Sequence, residues 1–113
     1  MRFTQEEKNE LLKTFTNLLK NVNGKGPRNI YIKYFDNELH VVIQGVITDF
    51  EKYLINNFGE EAIEIFRSFY ERDSYNFEKL FLRSLEYKYP LTFYQLESDF
   101  DNDIFTYKMK ILE

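Results

Sequence analysis

Apolar side chains recur at three- and four-residue spacing through Leu11, Leu12, Phe15, Leu18, Leu19 and Val22, with Lys8, Lys13 and Lys20 off the stripe. This is the pattern of an amphipathic helix with one buried face. Thr4 and Glu7 stand ahead of it as a capping box, in which each side chain satisfies the other residue's backbone amide. Asn23-Gly24 supplies the stop, so the helix is expected over residues 5–21. The period then shortens. Residues 29–35 and 38–47 are rich in β-branched and aromatic side chains and flank Asp36-Asn37, the signature of two strands joined by a tight turn. Leu39, Val41, Ile43 and Ile47 fall on one face; His40, Val42, Gln44 and Val46 fall on the other. Gly45 interrupts the first face and predicts a bulge or a closely packed backbone neighbour.

Thr48 and Glu51 repeat the capping box and open a short helix expected over 49–57, ended by Gly59. A longer helical pattern runs from Glu60 to about Tyr87 through Ile63, Phe66, Phe69, Tyr70, Phe77, Leu80 and Phe81. Arg72-Asp73-Ser74 is a polar lapse in it. Either the helix kinks there or its exposed aromatics meet a second chain. Pro90 closes the segment. Leu91–Ser98 and Ile104–Leu112 then form a second hairpin around Phe100-Asp101-Asn102-Asp103, with Phe105, Tyr107, Met109 and Ile111 on one face. The expected fold is α+β and two-layered. Two hairpins make a four-stranded antiparallel sheet, with the N-terminal, short and long helices packed on it. With 113 residues and no linker or repeat, residues 1–113 make a single domain.

Composition sharpens this picture. Twelve Phe and nine Tyr bring the aromatic share to 19%, a load that implies a thick core or an interface. One His and no Cys exclude a Cys/His zinc site, a thiol nucleophile and a disulfide framework, and no metal or other cofactor is expected. No run approaches the ~20 apolar residues of a membrane span, and no signal-peptide core follows Met1. The expectation is a soluble, cytoplasmic chain without direct membrane insertion. The net charge of −4 is unevenly spread. Residues 1–33 carry seven basic and three acidic side chains, and residues 34–113 carry eight and sixteen. Such a molecule can pair with itself or dock on an anionic surface through its N-terminal third. A homodimer sharing the Leu11, Phe15, Leu18, Val22 seam or the long helix is therefore expected. Arg67, Arg72 and Arg83 lie among Phe66, Phe69, Tyr70, Tyr75, Phe77 and Phe81, but Glu64, Glu71, Asp73, Glu78 and Glu86 cancel their charge. Nucleic acid is not an expected partner.

Chemistry-bearing patterns are few. Gly24, Lys25, Gly26 and Arg28 form the ligand or anion-binding candidate, since glycines expose backbone amides and the two cations add charge. The stretch is not a P-loop, lacking the Gly-Lys-Ser/Thr ending and a following helix; the alternative is a helix stop leading into the first strand. Asp99, Asp101 and Asp103 alternate like the start of a calcium loop, yet Ile104 replaces the required glycine and Lys110 the bidentate Glu. They are read as a solvated turn. His40 has no nucleophile or carboxylate fixed beside it as a general base would need. Glu60, Glu61 and Glu64 suit the start of a helix. No catalytic residues are assigned.

Gly24-Lys25-Gly26-Pro27-Arg28 entering a strand, followed by Gln44-Gly45-Val46-Ile47-Thr48-Asp49-Phe50-Glu51-Lys52-Tyr53-Leu54 entering a helix, resembles the MpsC-like family of small bacterial proteins. Those proteins are described as subunits of a sodium-translocating, membrane-potential-generating system. The family pattern is Gly-x-Gly-Pro, a strand pair, Gly-Val/Leu-Leu-Thr-x-x-Glu-x-x-Leu, a long charged helix and a Ser-Asp hairpin. Its counterparts here are Gly24, Gly26, Pro27, Gly45, Thr48, Glu51, Leu54, Ser98 and Asp99, over about residues 8–112. Pro27, Gly45, Thr48, Glu51, Leu54, Ser98 and Asp99 are read as structural. Ile47 replaces the usual leucine, and Tyr87-Lys88-Tyr89-Pro90-Leu91 lacks the glycine common after the long helix. The resemblance implies a non-enzymatic cytoplasmic accessory or regulatory subunit tied to membrane ion or bicarbonate transport, with a membrane transporter as partner. The alternative is a small-molecule or nucleotide-binding sensor using the Gly24–Arg28 loop.

Overall fold

The computed structural model describes residues 3–112, with the side chains of Asn23, Asp73 and Tyr75 outside the described residues. The element order is α1 (Gln5–Asn23), β1 (Asn29–Phe35), β2 (Glu38–Gln44), α2 (Asp49–Phe58), α3 (Glu60–Ser84), β3 (Leu91–Asp99) and β4 (Ile104–Ile111). The sheet is wholly antiparallel in the order β1-β2-β4-β3, so the two hairpins meet through β2 and β4 at the centre. Both predicted capping boxes form. Thr4 accepts the Glu7 N–H and Thr48 that of Glu51, while each glutamate accepts its threonine's N–H. These bonds satisfy amides that the first turn of a helix leaves without intrahelical partners.

The helices cover one face of the sheet. Leu39, Val41 and Ile43 of β2 and Phe105, Tyr107, Met109 and Ile111 of β4 point toward Leu11, Phe15 and Leu19 of α1 and Phe77 and Phe81 of α3, all buried. Much of the aromatic content is spent here. Phe15 packs against Phe77, Phe81 and Tyr107 with ring centroids 4.7, 5.1 and 4.9 Å apart. On the outer face Val42 is also buried, between its register partners Tyr31 and Thr106. In β3 the register shifts between Phe93 and Gln95. That extra residue carries the inward alternation from Leu91 and Phe93 over to Leu96.

Four details differ from the sequence expectation. β2 ends at Gln44 rather than Ile47, because Gly45 turns with φ 80° and sends Val46 into the core instead of onto the outer face. α3 runs unbroken through Arg72–Ser74, where Ser74 is buried and its hydroxyl donates to the Glu71 carbonyl at 2.6 Å. The side chain of Asp73, part of the expected kink, lies outside the described residues. α3 stops at Ser84, and Glu86 and Tyr87 take φ of 56° and 53° with no glycine present. The α1 seam is consumed internally: Leu11 and Phe15 are in the core, Leu18 packs against it, and only Val22 is exposed. α1 is therefore not a seam left open for a second chain.

At 1.5 Å per residue the 25 residues of α3 extend about 37 Å. The molecule is correspondingly drawn out, 45 × 23 × 21 Å, with α2 lying on α3.

Candidate functional site

Most of the family-pattern residues gather at one corner, where the α1–β1 loop, the β2–α2 loop and the β3–β4 turn converge, while Leu54 lies farther along α2. Gly24 ends α1 in the left-handed conformation, its N–H bonded to the Lys20 carbonyl. Gly26 packs over the Lys20 stem, so a Cβ there would lie 2.7 Å from Lys20 Cε. Lys25 Nζ donates to the Ile47 carbonyl at 3.2 Å. Beyond Pro27, the Arg28 N–H donates to the Gln44 carbonyl at 2.8 Å and extends the β1–β2 ladder. Arg28 passes so close to Gly45 that a Cβ on Gly45 would sit 2.6 Å from its own. The predicted close neighbour of Gly45 is thus the Gly24–Arg28 loop itself, and its lysine is turned onto backbone.

The residue that locks this corner was read as part of a solvated turn. Asp103 is only 8% exposed. Its carboxylate accepts the Val46 N–H at 3.0 Å and the Ile47 N–H at 3.1 Å, and its carbonyl accepts the Gly45 N–H at 3.1 Å. Three successive amides released from β2 are thereby satisfied away from solvent. Nothing in local spacing links Asp103 to Val46, which explains why the pattern did not reveal it. Asp99 closes the same turn, accepting the Asn102 N–H at 3.1 Å and its side-chain amide at 2.8 Å; these bonds hold its carboxyl below the usual range. Ser98 sits opposite Phe105 in the ladder. Among the described residues no group of three His, Cys, Asp or Glu could hold a metal ion.

From this corner α2 starts at Thr48. Glu51 Oε1 accepts the Thr48 N–H at 2.9 Å and its hydroxyl at 3.0 Å. The same carboxylate meets the Tyr70 hydroxyl of α3 at 3.3 and 3.5 Å. Tyr70 stacks on Phe105, centroids 4.8 Å apart, and burial, followed by the Glu51 charge, pushes its phenol well above the ordinary range. Thr48, Glu51 and Tyr70 open onto a cavity of about 310 Å³ walled by Val22, Val46 and the rings of Phe66, Phe69, Phe77 and Tyr107. Tyr70 was read only as one member of an aromatic stripe; its placement opposite Glu51 depends on how α2 folds back on α3. His40 lies elsewhere, bonded to Glu38 at 3.1 Å and packed on Phe35.

A second concavity, a groove of about 790 Å³, runs between α2 and α3. Leu54 and Phe58 face Ala62, Ile65, Phe66 and Phe69 across it, with Glu61, Glu64 and Arg72 among its lining.

The fold and this corner define a small two-layer α+β domain whose sequence motif holds backbone segments together, with an aromatic cavity and an apolar groove beside it. The chain belongs to the family described as Na+-translocating membrane potential-generating system (MpsC), whose family model matches residues 4–110. Searches of curated proteins and of solved structures returned no match.

Proposed function

We propose that this chain is a non-catalytic accessory subunit on the cytoplasmic side of a membrane ion-transport system, acting through docking. The observation that carries this reading is α2. Its ten residues include none that is buried, while Phe50, Tyr53 and Phe58 are 69, 61 and 59% exposed. Ile65 and Phe69 extend the apolar surface along α3. A monomer gains nothing from presenting so many large apolar side chains to water, and exposed apolar surface of this kind marks contact sites. The family description supplies the system. No helix among the described residues is long and apolar enough to cross a membrane, and in this reading the ion passes through a partner.

The occupant we assign to the patch is a second copy of the chain. Glu61, Glu64 and Arg72 lie among the apolar side chains that line the groove, and a two-fold pairing of one self-complementary face is the commonest arrangement of soluble homo-oligomers. Light scattering after gel filtration should give about twice 13.8 kDa, and Phe58→Asp should return a monomer that keeps its native circular dichroism. A monomer at high micromolar concentration defeats the dimer. The transport role is checked in cells lacking the protein, where the wild-type chain should restore sodium-dependent membrane potential. Failure to restore it rejects that role. The sensor reading based on the Gly24–Arg28 loop has weaker support, since Lys25 is directed to the Ile47 carbonyl rather than outward.

A further inference from the structure

We infer that the cavity beside Glu51 is a binding site for a small organic ammonium ion. Five rings, those of Phe66, Phe69, Tyr70, Phe77 and Tyr107, line the space, and one carboxylate, Glu51, opens into it. Ring faces carry negative quadrupole potential, so several rings around a carboxylate attract a cation that also presents alkyl surface. The volume of about 310 Å³ stands at the lower end of small-molecule sites, ~300–1,000 Å³, and suits a compact ligand.

Glu51 has acceptor capacity to spare. Oε1 is engaged by the Thr48 amide and hydroxyl. Among the described residues Oε2 accepts a single hydrogen bond, from Tyr70 at 3.3 Å, beyond the usual O–H···O range of about 2.5–3.0 Å. A quaternary ammonium seated against Oε2 gains a close ionic contact through its methyl groups and leaves the capping box intact. Phe69 already holds a cation: the Arg72 guanidinium lies 4.8 Å from its centroid, and Arg72 lines the α2–α3 groove rather than this cavity. Tyr70 stacks on Phe105, while Phe77 and Tyr107 pack against Phe15 and each other and also line the cavity. A free inorganic cation lacks the alkyl surface these walls would desolvate, and an anion would meet Glu51. The inference does not rest on the dimer, although Phe66 and Phe69 border both concavities.

The test is a titration of the full chain with tetramethylammonium and choline chlorides, followed by backbone amide resonances. Sodium and potassium chloride at equal ionic strength and 3,3-dimethylbutanol, the neutral isostere of choline, serve as comparisons. Saturable shifts at Thr48, Glu51 and Tyr70 are expected with the ammonium ions alone. Glu51→Gln preserves the capping box, because Gln serves at the same position, so the variant should fold normally. It should weaken binding at least about tenfold, because the cation loses its one close negative charge. Phe69→Leu should weaken it by about threefold, as expected for one ring face. The proposal is overturned by absence of saturation, by equal binding of the neutral isostere, by equal effects of sodium or potassium, or by a Glu51→Gln variant that binds like wild type. Cosedimentation with phosphatidylcholine vesicles that Glu51→Gln abolishes would overturn the free-ion assignment in favour of a lipid headgroup.

Discussion

Asp103 accepts the backbone N–H of Ile47 through both carboxylate oxygens, at 3.1 and 3.3 Å, across 56 positions of chain. With the Val46 bond, this makes one side chain the clasp between the two hairpins. Asp103 also adopts φ 55°, a conformation that Asp and Asn tolerate better than most residues. Asp103→Ala should therefore cost about 3 kcal/mol, since buried amides lose a charged acceptor. Asp103→Asn keeps an acceptor and the backbone preference and should cost about 1 kcal/mol. Urea unfolding measures both; equal losses would mean the carboxylate is not the clasp.

Gly24 and Gly45 both take positive φ, 74° and 80°, but in different surroundings. A Cβ on Gly24 meets nothing within 4 Å, whereas one on Gly45 collides with Arg28. Gly24→Ala should cost about 1 kcal/mol for the backbone alone. Gly45→Ala should cost at least about 2 kcal/mol, because the α1–β1 loop must also move. The comparison of unfolding midpoints would contradict this if the two variants were alike.

Thr48→Ala should destabilise the protein by about 1 kcal/mol, the usual value of a threonine cap. Calorimetry detects such a change directly. A variant of unaltered stability would show that Thr48 does not cap α2.

The end of α3 carries avoidable strain. Glu86 follows the Leu85 cap with φ 56°, a place where helices commonly use glycine. Glu86→Gly should raise stability by about 0.5–1 kcal/mol, the left-handed penalty less the added entropy of the unfolded chain. A lower unfolding midpoint would refute the strain.

Burial, with the Glu51 charge behind it, raises the Tyr70 phenol above its ordinary value of 10.0. A group whose folded value is raised stabilises the fold fully below its unfolded value, and that contribution is lost as pH climbs through the folded value. The melting temperature should fall from pH 10 upward, and Tyr70→Phe should flatten the decline. Tyr34, Tyr89 and Tyr94 are also raised, so the slope will not vanish. An unchanged slope in the variant counts against the Tyr70 assignment.

Local chemistry was legible and long-range closure was not. Capping boxes, the Asp36-Asn37 turn and the alternating face of β4 each depend on neighbours a few positions apart, and all formed as the pattern implies. The family pattern was legible too, from Gly24 to Asp99. Asp103 and Tyr70 were not, because their roles exist only once separate elements meet. Phe69 shows a further limit. Its helical period suits a core position, yet it lies 47% exposed on the flank of α3, since period alone does not say how wide the buried stripe is.

The seam between β2 and β4, from Glu38 with Lys110 to Gln44 with Ile104, also sets how the protein must fold. Each hairpin can close by itself through a short turn, within microseconds. α1 can cover the first hairpin and α3 the second, but the sheet is complete only when the two halves meet, and between them the chain must form α2 and α3. The search for that distant pairing costs loop entropy before any contact rewards it, so the central seam is the slow event. Until it closes, β2 and β4 are both open edges, and crowded nascent chains are then most prone to pair with one another.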